Sequence, residues 1–137
     1  VGVSDAPQKP ELKIERLKKR PDFLACAQAA HCARGAVVIQ ARPRDSEPLV
    51  RAGFTATKRI GGAVERNRAK RRMREAARLL LPGLASPGFD YVFIARGGVT
   101  TRPWPRLLDD VKSALIRLAA DGDARARDPA HAPPSQD

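Results

Sequence analysis

TKRIGGAVERNRAKRRMREAARLL, residues 57–80, sets nine Lys and Arg against two Glu between positions 58 and 78. At about 3.6 residues per turn, Ala69, Met73, Ala76, Ala77 and Leu80 recur at spacings of three and four, which predicts a helix over 63–81 with a narrow buried stripe. Asn67, Lys70, Arg71, Arg74 and Arg78 fall opposite that stripe, and Arg66, Arg68 and Arg72 fall on its flanks. A solvated helix face ordinarily mixes signs so that neighbours pair across one turn. Here Glu75 reaches only Arg71, Arg72 or Arg78, and Glu65 reaches Arg68, so most of the cations lack a partner on the helix. Arginine outnumbers lysine, and its planar fork suits phosphate oxygens and base stacking. Gly61 and Gly62 allow a tight turn that exposes amide groups at a helix N-terminus, where phosphate is favoured. Lys58 and Arg59 arrive beside that end, and Pro82-Gly83 is expected to stop the helix.

The flanking segments supply the rest of a small domain. Before the helix, LVRAGFTAT (49–57) alternates Val50, Ala52, Phe54 and Ala56 with Arg51, Gly53, Thr55 and Thr57, as a half-buried strand does. AVVIQAR (36–42) is another β-rich run, separated from it by a turn through Pro43 and Pro48. Pro21 followed by DFLACAQAA predicts an earlier helix with proline in its first turn. After the basic helix, DYVFIAR (90–96) has apolar side chains on both parities, which predicts a strand covered on both faces. WPRLLDDVKSALIRLAA (104–120) then has the spacing of an amphipathic helix. Helix, strands, helix, strand and helix in that order make the fold class α+β. Residues 1–12 are expected to be a flexible arm, 13–120 the folded domain, and 121–137, with three prolines and no large apolar residue, a disordered tail.

The chain of 137 residues carries a formal charge of +11. The tail has four Asp against two Arg, so residues 1–120 hold 24 basic and 11 acidic side chains, or +13. The excess belongs to the folded part and points to a polyanionic partner, nucleic acid before an anionic membrane. No run of about 18 apolar residues exists to span a bilayer, and the start lacks an apolar signal core, so a cytoplasmic location is expected. Cys26 and Cys32, the only cysteines, fit reduced, partly buried thiols, and with His31 they cannot complete a usual zinc set.

The order of residues in the basic helix is itself distinctive. Lys58, Gly61 or Gly62, Ala63, Val64, Arg66, Asn67, Arg68, Lys70, Arg71, Arg74 and Glu75 reproduce K-x-x-G-x-A-V-x-R-N-R-x-K-R-x-x-R-E, which resembles the signature of the bacterial ribonuclease P protein subunit. RLKKRPDF (16–23) is similar to that family's basic-then-Phe segment, and FDYVFIAR (89–96) to its last strand, so the resemblance covers about 15–120. It implies a single compact αβββαβα domain with a mixed four-stranded sheet, related to a domain of ribosomal proteins. It also implies a left-handed βαβ crossover, against the usual right-handed rule. The implied function is support of an RNA catalyst that removes the 5′ leader of precursor tRNA with Mg²⁺ held by the RNA. Lys58, Arg59, Arg66, Asn67, Arg68, Lys70, Arg71 and Arg74 would contact the catalytic RNA. A cleft between the first helix and the sheet would hold the leader through Arg16, Lys19, Phe23, Gln40, Arg51, Thr55 and Thr57. Ala27 and Gln40 stand where aromatics are frequent in the family, so hydrogen bonds and charge are expected to replace stacking there. One protein per RNA is expected.

The absence of a protein active site fits this reading. No His pair, carboxylate cluster or nucleophile with its base stands out, and Asp109-Asp110 is expected to serve an exposed helix start. A ribosomal or ribosome-associated RNA-binding protein would share the charge and the fold and is the alternative. A leucine-zipper basic region needs heptads that Pro82-Gly83 removes, and the alanine-rich stripe is too weakly apolar for a membrane-surface helix.

Overall fold

In the computed structural model, residues 13–44 and 47–127 are described, with side chains to Asp121. The expected arm at 1–12 and the end of the tail, 128–137, lie outside them. The elements are β1 (Ile14–Arg16), α1 (Arg20–Ala27), β2 (Ala30–Arg34), β3 (Val37–Pro43), β4 (Val50–Thr55), a 3-10 turn (Lys58–Ile60), α2 (Ala63–Leu84), β5 (Phe89–Ala95) and α3 (Trp104–Arg127). They form an α+β domain of three helices on a mixed sheet ordered β1-β4-β5-β3-β2. Strand β4 pairs in parallel with both β1 and β5, while β3 runs antiparallel to β5 and β2. The sheet has five strands instead of the expected four, because the three residues of β1 add an edge beside β4.

The sheet has two unequal cores. Odd positions of β3 and β5 (Val37, Ile39, Ala41; Tyr91, Phe93, Ala95) and even positions of β4 (Val50, Ala52) face α2 and α3, and meet Met73, Leu81, Leu107, Val111 and Leu115. The opposite face carries a smaller cluster of Leu17, Cys26 and Val92, with Phe23 and Ile94 against it. β5 is thus covered on both sides, as its continuous apolar run predicts. β4 is also covered on both sides along part of its length, where the alternation predicts one wet face. Gly53 is buried there beneath the Phe23 ring, so close that a Cβ on Gly53 would stand 2.5 Å from Phe23 Cζ. Gly53→Ala should therefore destabilise the domain by roughly 1–3 kcal/mol through overpacking. Thermal melts should show the loss, and Phe23→Leu in the same chain should recover part of it. Additive effects would show that the two residues are not in contact.

Helix α1 begins with Pro in its first turn and Asp22 behind it, and ends at a cap on Gln28. That is shorter than the apolar run suggests, because Ala30 and His31 are drawn into β2 opposite Ala41 and Gln40. Helix α2 runs through Pro82 and Gly83 to Leu84 and ends at Ala85, whose N–H donates to the Leu81 carbonyl at 2.8 Å. The expected stop fails because Leu81 is fully buried and Leu84 packs on the same core, which holds the last turn against the loss of one proline donor. Leu81 thus replaces Leu80, which is only half-buried, at the end of the predicted stripe. Helix α3 continues past residue 120 to Arg127, into the segment expected to be disordered.

Both cysteines are buried and free, Cys26 in the smaller cluster and Cys32 in the larger. Burial, and then the charge of Asp90, push the Cys26 thiol up to about 11. Among the described residues, no helix is long and apolar enough to cross a membrane.

Candidate nucleic-acid interface

The basic run is displayed on a rigid platform. Thr57 Oγ1 accepts from the Arg59 N–H and starts the 3-10 turn, and Gly61 at φ 141° redirects the chain into α2. Gly62 is the N-cap and offers no side-chain acceptor, and the first helical bond runs from Arg66 N to Gly62 O at 2.9 Å. The amides of 63–65 therefore remain at the helix start with its positive end. Arg66 also donates a side-chain bond to Gly61 O at 3.2 Å, which fixes this elbow. Beyond it, Asn67, Arg68, Arg71 and Arg74 are exposed and Lys70 is half-buried, while Ala69, Met73, Ala76 and Ala77 anchor the opposite side.

The charge on this face is mostly uncompensated. Among the described residues, Lys58, Arg59, Arg68, Lys70 and Arg71 make no ion pair, and Glu75 holds only Arg78. Arg74 stands 5.9 Å over the Phe54 ring. Arg72 points elsewhere. It donates to the carbonyls of Val99 at 2.8 Å and Arg102 at 2.7 Å and lies 5.7 Å from the Trp104 ring centroid, which clamps α2 to the loop before α3.

The second predicted group lies on the α1 face of the sheet. Gln40, Arg51 and Thr55 project from β3 and β4 on the side covered by α1, and Phe23 packs there as part of the smaller core. Arg16 and Lys19 line a concavity of about 360 Å³ with Asp22 and Arg51. Two members are already engaged. Thr57 caps the 3-10 turn. Arg51 donates to both Asp90 oxygens, at 2.8 and 2.7 Å, and to Asp22 at 3.3 Å.

Asp90 is a site that sequence reasoning missed. It is fully buried in β5 and also accepts from Arg42 at 3.2 Å and Arg44 at 2.8 Å. Burial alone would raise its carboxyl, but the bonds and charge of Arg51 and Arg44 hold it below the usual carboxylate range. An acid inside the apolar run FDYVFIA was a visible anomaly, but its partners come from two other strands and a loop. Asp110 corrects a different expectation. Instead of an exposed helix start, it is buried, taking Arg102 at 2.6 and 3.0 Å and the Ala36 N–H at 3.1 Å. Gly35, at φ 52°, makes room for it, since a Cβ there would lie 2.3 Å from the carboxylate.

Both buried carboxylates are thus engaged, Asp90 by three guanidinium groups and Asp110 by Arg102 and the Ala36 N–H. Among the described residues, no three His, Cys, Asp or Glu side chains gather where they could hold a metal ion.

Comparison with known proteins agrees with the geometry. The family model described as Ribonuclease P matches residues 12–119. The ribonuclease P protein component of Caulobacter vibrioides is 68% identical over 122 residues, covering 88% of this chain and 80% of that protein. The component from Ruegeria pomeroyi is 51% identical over 110 residues, covering 78% and 88%. Among solved structures, the RNase P protein of Thermotoga maritima superposes with a TM-score of 0.65 at 26% identity, covering 74% of this chain and 96% of that one. The Staphylococcus aureus protein shares the fold with a TM-score of 0.64, at 24% identity over 76% and 94% of the two chains. A family match over residues 12–119, with 68% identity to a relative over 122 residues, makes this chain a member of the ribonuclease P protein family.

Proposed function

We propose that the exposed face of α2 docks on the catalytic RNA of ribonuclease P and that the α1 face of the sheet receives the single-stranded 5′ leader of precursor tRNA. The observation that carries the first part is the cationic surface of Lys58 and Arg59 on the 3-10 turn and Arg68, Lys70 and Arg71 on α2, which Met73 and Leu81 anchor to the core. Arg66, Asn67 and Arg74 border it. Such a surface binds phosphate by releasing counterions, and its rigidity limits the side-chain entropy lost on binding. Membership of the family implies association with ribonuclease P RNA.

The protein supplies charge and shape, and the chemistry belongs to the RNA. Hydrolysis at the leader junction would leave a 5′-phosphate on the mature tRNA, and the Mg²⁺ it uses would be held by the RNA. Bringing two RNAs together raises phosphate density, and the α2 cations offset that repulsion, which lowers the Mg²⁺ needed. In the leader cleft, Gln40 and Thr55 offer hydrogen bonds and Lys19 offers charge, while Arg16, in register with Ala52, stands at the β1 edge between this cleft and α2. Arg51 acts there chiefly by positioning, because Asp90 already holds its guanidinium. Adding this chain to a bacterial ribonuclease P RNA at low Mg²⁺ should restore cleavage of precursor tRNA. Cleavage that stays at the level of the RNA alone would overturn the assignment and favour an RNA-binding role outside this enzyme.

A further inference from the structure

Toward its C-terminal half, α2 stands away from the β1 edge of the sheet. The gap is a groove of about 300 Å³ lined by Ile14, Phe54 and Leu81 and by Arg16, Arg74 and Arg78, three cations against the single acid Glu15. Leu81 is fully buried, while Phe54 is only half-buried and rests tilted against Phe93 with ring centroids 5.2 Å apart. The Arg74 guanidinium lies 5.9 Å above the Phe54 ring, so two planar groups border the same space. Among the described residues, Arg16 and Arg74 make no ion pair, whereas Arg78 is held by Glu75.

We propose that this groove takes one unpaired nucleotide of the catalytic RNA, with its base on Phe54 and Arg74 and its phosphate toward Arg16. This rests on the docking of RNA on α2. Three observations select that occupant. An aromatic ring beside cations is the combination that holds single-stranded nucleic acid, through stacking and backbone charge together. The volume is at the low end of the range for small-ligand sites, about 300–1,000 Å³, which suits one nucleotide and not a duplex. Arg74 belongs both to the basic face of α2 and to the groove, so a strand leaving that face enters it directly. The groove lies on the α2 side of the sheet, opposite the leader cleft, with Arg16 lining the concavities on both sides of the β1 edge.

The test uses Phe54→Leu, which keeps an apolar side chain and removes the aromatic face. Affinity for ribonuclease P RNA should fall about fivefold to 150-fold, the equivalent of one stacked base at roughly 1–3 kcal/mol. The salt dependence should not change, because no cation is lost. In a second arm, the wild-type chain is irradiated in complex with ribonuclease P RNA carrying 4-thiouridine, and adducts are expected on peptides containing Phe54 or residues 74–82. Wild-type affinity for Phe54→Leu, or adducts confined to residues 58–71, would overturn the groove. If Arg71→Ala still weakens binding in that case, docking on α2 stands and only the groove fails. If Arg71→Ala is also silent, the docking itself fails. Adducts that form only when 4-thiouridine is placed in precursor tRNA would give the groove to the substrate and overturn the proposal.

Discussion

Asp90→Ala is expected to destabilise the domain by roughly 3–5 kcal/mol, the usual cost of removing one partner from a buried ion cluster. Three guanidinium groups converge on this carboxylate, and it has no exposed surface. Without it, Arg42, Arg44 and Arg51 would lose the carboxylate they share, while Arg51 would keep Asp22 and Arg44 its bond to the Leu49 carbonyl. A small domain has only about 5–15 kcal/mol of stability in total, so the variant should unfold at a much lower urea concentration. Asp90→Asn keeps the shape and some of the hydrogen bonds and separates the charge from the packing. The wild-type carboxyl is held below its unfolded value, so the unfolded chain binds the proton more readily. Its contribution is therefore complete above a pH of about 4, the ordinary aspartate value, and is lost as pH falls through the lower native value. Urea titrations of wild type and Asp90→Asn should converge as the pH drops below that point. Parallel curves, or a loss under 1 kcal/mol for Asp90→Ala, would show that the cluster does not stabilise the fold. Because Arg51 belongs to this cluster and also to the proposed leader cleft, the same substitutions should disturb leader binding if that proposal holds.

The contrast between α2 and the ion clusters shows what local sequence can carry. A helical stripe is set by spacing within one segment, so Ala69, Met73, Ala76 and Ala77 were legible, and only its last member shifted from Leu80 to Leu81. The order R-N-R-x-K-R-x-x-R-E was legible for the same reason, since every residue of it lies on one element. Strand β1 was not legible. Three residues at a sheet edge carry no period, and their pairing with Val50–Ala52 is decided by a strand far along the chain. Asp110 escaped because its partner Ala36 lies 74 positions away and only the fold brings Gly35 beneath it. Pro82 misled because a local rule about donors was outweighed by the burial of Leu81 beside it. On the α1 face, neither the Arg51–Asp90 pair nor the packing of Phe23 over Gly53 has a sequence signal of its own.

The second large effect is expected in binding. Each exposed cation that meets a phosphate releases counterion and contributes about 0.9 to the salt exponent, or about eightfold in affinity at 0.1 M salt. Arg68→Ala and Arg71→Ala should each lower that exponent by up to about one, and together they should weaken binding of ribonuclease P RNA about 60-fold at that salt. Neither residue makes an ion pair among the described residues and both are exposed, so the fold should melt as wild type does. Arg72→Ala is the counterpart. It lies in the same run, but its guanidinium is bound to the Val99 and Arg102 carbonyls beside Trp104. It should lower the melting temperature and leave the salt exponent unchanged. Filter binding between 50 and 300 mM salt, read beside thermal melts, separates the two classes. An exponent that Arg68→Ala and Arg71→Ala leave unchanged would show that the α2 face meets no phosphate. An exponent that falls for Arg72→Ala would mean that its clamp opens on RNA and that the motif acts as one continuous surface.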